Sequence, residues 1–117
     1  MKIIILKERY IDDIKEEFNT AFPYLKIDFK FDANLPNRAR SKVSMGKLKL
    51  GDISTDSQEG ILSINENNSI RQVAQKFTDN FGLKTNFFRK SGNLWLEIKA
   101  TGDWSLKQQN ESGMEVY

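Results

Sequence analysis

Two residue types are missing from this chain altogether: it has no cysteine and no histidine. Without cysteine there is no disulfide, no zinc–thiolate cluster and no thiol nucleophile. Without histidine the usual general base near neutral pH and the usual imidazole metal ligand are gone. Serine–histidine and cysteine–histidine machinery therefore cannot be assembled from this chain alone. Long apolar runs are also scarce. The opening MKIIILKERY returns to charge at Lys7, Glu8 and Arg9 after the short run Ile3 to Leu6. A secretory leader needs a longer apolar stretch, and a membrane span needs about 20 residues. The expectation is a soluble, cytoplasmic protein with no membrane partner.

What is present fits one ordinary globular domain. The 117 residues are 38% hydrophobic and 29% charged, with a formal charge of +2. That length supports a proper core. The mild positive balance neither demands nor excludes a nucleic-acid partner.

A weak self-similarity organises the chain. Tyr10 to Phe29 can be set above Ser69 to Phe87, so that Ile11, Ile14, Phe18 and Phe22 fall on Ile70, Val73, Phe77 and Phe81, a constant offset of 59. Ile5 meets Ile64 at the same offset, and Pro23 meets Gly82. After a one-residue gap, Leu25, Lys26 and Phe29 meet Leu83, Lys84 and Phe87. Steps of three, four and four mark one stripe of an amphipathic helix in each copy. Pro23 lacks the amide to continue the first helix, and Gly82 can take the left-handed conformation that closes the second. Ser69 with Gln72 reads as a capping box, whereas the first helix has no such start.

Each helix lies between extended segments. Lys2 to Leu6 and Ile61 to Ile64 are short and isoleucine-rich. Leu25 to Phe31 alternates apolar and charged residues, which predicts a half-buried strand. Thr85 to Lys90 and Leu94 to Lys99 flank Ser91-Gly92-Asn93, which is hairpin chemistry. The predicted fold is α+β: a ferredoxin-like two-layer sandwich of two β-α-β units, with two helices on one face of a mostly antiparallel sheet. Residues 1–32 make the first unit, 33–59 a basic insert, 60–99 the second unit with its hairpin, and 100–117 a tail. Ser105 or Asp103 is placed to cap a short helical turn through Lys107 to Asn110.

Two surfaces stand out as candidate sites. On the hairpin, Phe87, Leu94, Leu96 and Ile98 are expected to pack on the helices. Phe88, Lys90, Trp95 and Lys99 then form a wet face, a platform for a protein partner or for stacked bases. The competing structural reading makes Trp95 and Trp104 a clasp that ties the tail to the hairpin. In the insert, Arg38, Arg40, Lys42, Lys47 and Lys49 come with no acid before Asp52. Such a run suits a phosphate backbone, although cations also protect an edge strand from stray pairing. The acids Asp12, Asp13 and Glu16 sit in early helical turns, where the macrodipole favours them, and together with Glu17 they read as a solvated helix face. Asp52, Asp56 and Glu59 lack calcium-loop spacing. No catalytic residue, metal ligand or cofactor motif is assigned.

The segment RKSGNLWLEIKATGDWSLKQQNESG, Arg89 to Gly113, resembles the C-terminal signature of a small family of bacterial, Bacteroidetes-type proteins, a likeness that covers most of the chain and is strongest over Phe81 to Gly113. Its members carry a strand-like FRKSG…WLE, then T-x-DW-x-L-x-x-QN and a glycine. FNTAFPYLKIDF and LGDI add to the likeness. Gly102-Asp103 departs from the two acids of the family pattern. The resemblance implies a lineage and no reaction. The sequence therefore points to a non-enzymatic module, monomer or homodimer, that binds another protein through the hairpin face. The alternative is a weak nucleic-acid binder acting through residues 38–49.

Overall fold

The computed structural model describes residues 1–31, 42–43, 45–53 and 58–115. The order is β1 (Lys2–Ile5), α1 (Ile11–Ala21), β2 (Leu25–Phe29), α2 (Leu50–Ile53), β3 (Gly60–Ser63), α3 (Ile70–Phe81), β4 (Thr85–Ser91), β5 (Leu94–Glu97) and α4 (Leu106–Glu115). The α+β class and the strand–helix–strand units are as the sequence indicates. The strands do not form one sheet. β1 pairs antiparallel with β3, while β2, β4 and β5 make a separate antiparallel sheet in that order. Each β-α-β unit thus lends one strand to each sheet.

The two registers share a property with the sequence offsets. In the first ladder Ile3 pairs with Leu62, and in the second Asp28 pairs with Asn86. Those are the residues that offsets of 59 and 58 superpose. The aromatic core repeats the relation: Phe18 meets Phe87 at 5.6 Å and Phe77 meets Phe29 at 5.5 Å, both edge to face. The N-cap positions Tyr10 and Ser69 each make an isolated bridge, to Lys49 and to Ser105. Beside these bridges the Leu50 amide donates to Arg9 O at 3.0 Å, and the Leu106 amide to Asn68 O at 2.8 Å. Leu50 and Leu106, the first residues of α2 and α4, are both buried.

Helix boundaries follow local chemistry. The Ser69 side chain accepts from the Gln72 amide while Gln72 accepts from the Ser69 amide, completing the capping box. α1 starts at Tyr10 with no side-chain cap. Gly82 sits at φ 63° and closes α3, its amide donating to Thr78 O. α4 is longer than the turn the tail suggested, because Ser105 Oγ caps it and Leu106 locks it into the core. Among the described residues twenty apolar side chains form one core, drawn from both units and including Ile14, Phe18, Leu25, Ile27, Val73 and Phe77.

Candidate binding face

The site begins with strand parity. Side chains alternate across a strand, so residues directly opposite in register share a face. Leu25, Ile27 and Phe29 are buried, and they pair with Arg89, Phe87 and Thr85. That face of the three-stranded sheet takes α1 and α3 through the two aromatic pairs. It also takes α4, through Gln109 on Arg89 and through Asn110 Oδ1, which accepts from the Tyr24 amide at 2.9 Å. The other face carries Lys26, Asp28, Asn86, Phe88, Lys90, Trp95 and Glu97, opposite the side on which the aromatic pairs and α4 pack, and α1 reaches it at Asp28 through Lys15.

Three of the residues singled out on the hairpin come together here. Lys90 stands opposite Trp95 and Phe88 opposite Glu97. Lys99, two residues beyond Glu97, reaches its carboxylate at 3.2 Å. Phe88, Lys90 and Trp95 are half-buried, and Lys99 is exposed. Lys26 adds a member that sequence reasoning missed: its ammonium lies 4.3 Å from the centre of the Trp95 indole, within cation–π range. The alternation of Leu25 to Phe29 already put Lys26 on the wet side. Only the β2–β4 register, invisible in the sequence, brings it to Trp95. Asp28 is taken by Lys15 at 3.4 Å and Glu97 by Lys99. Lys26 and Lys90 have no carboxylate within ion-pair distance among the described residues.

The two tryptophans do not form a clasp. Trp104 lies on the opposite side of the sheet, 5.6 Å from the guanidinium of Arg89, whose position on the strand is one off from Lys90. What ties the tail down is Leu106 in the core together with a buried polar anchor. Gln109 is wholly buried; its amide nitrogen donates to Thr101 O at 2.6 Å and to Thr101 Oγ1 at 2.9 Å, while its oxygen accepts from Arg89. A second correction concerns the leucines. Phe87 is buried and Ile98 packs against the core, but Leu94 is 65% and Leu96 53% exposed. β5 lies at the sheet edge, beyond the width that the helices cover.

The basic insert looks different from its sequence. Arg38 and Arg40 lie outside the described residues. Lys42 reaches Asp52 at 3.3 Å and Lys49 reaches Glu8 at 3.0 Å, so two of its cations are already matched, and Lys47 is exposed. Partial burial would raise the Asp52 carboxyl. The Lys49 amide, donating at 3.0 Å, and the Lys42 ammonium outweigh it and hold the group below its ordinary range. The hydrogen bond from Lys49 to Glu8, with the charge of that carboxylate, raises the Lys49 ammonium above its ordinary value.

The clefts are open. One of about 460 Å³ is lined by Asn67, Ser69, Arg71, Gln72, Gln75 and Asp103, with Arg71 and Asp103 paired at 2.7 Å. Among the described residues no group of three acids is placed to hold a metal ion, and no helix is long and apolar enough to cross a membrane. No family model, curated protein or solved structure matches the chain.

Proposed function

We propose that this chain is a non-enzymatic module that binds another protein on the Trp95 face of β2, β4 and β5. One observation carries the reading. Phe88 and Trp95 stand on the sheet face opposite the one that packs against α1, α3 and α4 through the aromatic pairs and Gln109, flanked by Lys26, Lys90 and Lys99. Aromatic area with low conformational cost, rimmed by cations, suits a partner that offers apolar side chains and carboxylates. The nucleic-acid alternative has less support, because Asp52 and Glu8 already answer Lys42 and Lys49.

The likeness of Arg89 to Gly113 to the bacterial family belongs to this reading as a lineage, and an internal duplication belongs to it as an origin. Ladders that contain the Ile3–Leu62 and Asp28–Asn86 pairs support two equivalent units, arranged as a strand-exchanged variant of the ferredoxin-like sandwich.

The test is capture of a partner by the immobilised chain, then its retention by variants. Trp95→Ala and Phe88→Ser are expected to lose the partner, with little dependence on salt. Retention by both, with loss on raising salt or on Lys42→Ala plus Lys47→Ala, would shift the function to the insert.

A further inference from the structure

Among the described residues four strand edges border the two sheets, and three have at least one outward backbone group engaged by the chain's own side chains or turns. Along β1 the Ile4 carbonyl accepts from the Arg9 guanidinium at 3.0 Å, and along β3 the Ser63 carbonyl accepts from the Lys76 ammonium at 3.0 Å. On the outer edge of β2, Leu25 O accepts from Asn19 Nδ2 at 2.8 Å. The Leu25 amide donates to Phe22 O and the Phe29 amide to the Asp28 carboxylate. Such engagement is how natural sheets resist unwanted pairing.

β5 has no equivalent protection. The Ile98 amide donates to Phe87 O at 2.8 Å. In an antiparallel ladder this turns the backbone groups of Leu94 and Leu96 towards β4 and those of Trp95 and Glu97 outwards. Among the described residues those outward amides and carbonyls have no hydrogen-bond partner. The strand holds no proline or lysine, and one of its faces exposes Leu94 and Leu96.

We propose that a second copy of this chain adds to β5, antiparallel and centred on Leu96. Only registers that pair outward residues with outward residues make the hydrogen bonds, which leaves centres at Trp95, Leu96 or Glu97. Centring on Leu96 matches the strand to itself. Leu94 comes opposite the second copy's Ile98, and Leu96 opposite Leu96, so one face carries a continuous apolar row from both chains. On the other face the second copy's Glu97, held at 3.2 Å by its own Lys99, comes opposite Trp95, beside Lys26 and Lys90, which have no carboxylate within ion-pair distance among the described residues. Centring on Glu97 would instead set like charges against each other, and centring on Trp95 would leave both Glu97 groups beside Asn93. The charge match and the self-complementary pattern select a second copy over an unrelated strand. The inference uses the strand edge and does not rest on the binding-face reading. A ladder this short covers less than the ~800 Å² per partner of a standard interface, so the association is expected to depend on concentration.

Sedimentation equilibrium over a dilution series tests it. The wild-type mass is expected to rise towards twice the 13.5 kDa of one chain. Glu97→Pro removes an outward amide and no bond to β4. Leu96→Lys places a charge on the two-fold axis at a side chain already exposed. Both are expected to stay at one chain's mass with a native circular dichroism spectrum; should the proline variant lose that spectrum, Leu96→Lys decides alone. Lys26→Glu should weaken the dimer, and pairing it with Glu97→Lys should restore it. Phe88→Ser, away from the edge, should leave the dimer intact, which separates failure of this proposal from failure of the binding face. A wild-type mass of one chain throughout, or a dimer that survives Leu96→Lys, overturns the proposal.

Discussion

Gln109 shows how much a single buried amide can organise. It joins Arg89 on β4 to Thr101 in the connection before α4, and all of its surface is covered. Gln109→Leu keeps the bulk and strands the Thr101 carbonyl, so a loss of about 1–3 kcal/mol is expected in urea unfolding. Gly113 has a different constraint: an added Cβ would meet the Tyr24 Cβ at 2.7 Å and the Tyr24 carbonyl at 3.2 Å. Gly113→Ala should therefore push α4 from the sheet and cost ~1–3 kcal/mol, against ~1 kcal/mol for Gly92→Ala, where only the left-handed φ of 60° is strained. Asp52 gives the pH dependence. Its carboxyl is depressed in the folded state, so its contribution is present above the ordinary carboxylate range and is lost as pH falls through the folded value. Asp52→Asn should be less stable than wild type at neutral pH, and the gap should close in acid, as thermal melts across pH would show. None of these residues was legible in the sequence as a linchpin. Most of their partners are distant in sequence: Gln109 holds Arg89, twenty positions away, and Gly113 lies against Tyr24.

At the scale of elements, α1 and α3 differ in how they begin. α3 has a reciprocal cap and α1 has none. Ser69→Ala should cost about 1 kcal/mol in a denaturant melt, which is the ordinary worth of such a cap. This feature was readable, because a capping box is local in sequence. The packing of the hairpin was only half readable. Alternation placed Phe87 inward and Trp95 outward, and the structure agrees. Whether an inward side chain finds a helix above it depends on how far the helices extend across the sheet, and alternation is silent on that. Leu94 and Leu96 point to the helix side yet stay exposed, and so the edge strand keeps apolar surface open on that face. The insert failed to read for a similar reason. Lys49 is answered by Glu8, which lies forty-one positions away.

For the whole molecule the decisive fact is that neither sheet belongs to one half of the chain. β1 finds its partner in β3, and β2 finds its partner in β4. The offsets of 59 and 58 were visible from apolar spacing alone, yet one shared sheet and two crossed ladders are compatible with the same spacing. Residues 1–59 expressed alone would retain α1 and leave both of its strands unpaired. That fragment is expected to be unfolded by circular dichroism, and mixing it with residues 60–117 is expected to restore the native spectrum; a folded isolated fragment would contradict the crossed ladders. Because the β1–β3 and β2–β4 ladders both join residues far apart in sequence, unfolding should be a single cooperative transition and folding slow for a chain of this size. The two indoles lie on opposite sides of the three-stranded sheet, each beside a cation that no other tryptophan shares. The protein therefore carries two separate optical probes. Trp95 emission, isolated by Trp104→Phe, reports what settles on its face of the sheet. Trp104 emission, isolated by Trp95→Phe, reports whether α4 is seated, so docking and unfolding can be watched apart without an added dye.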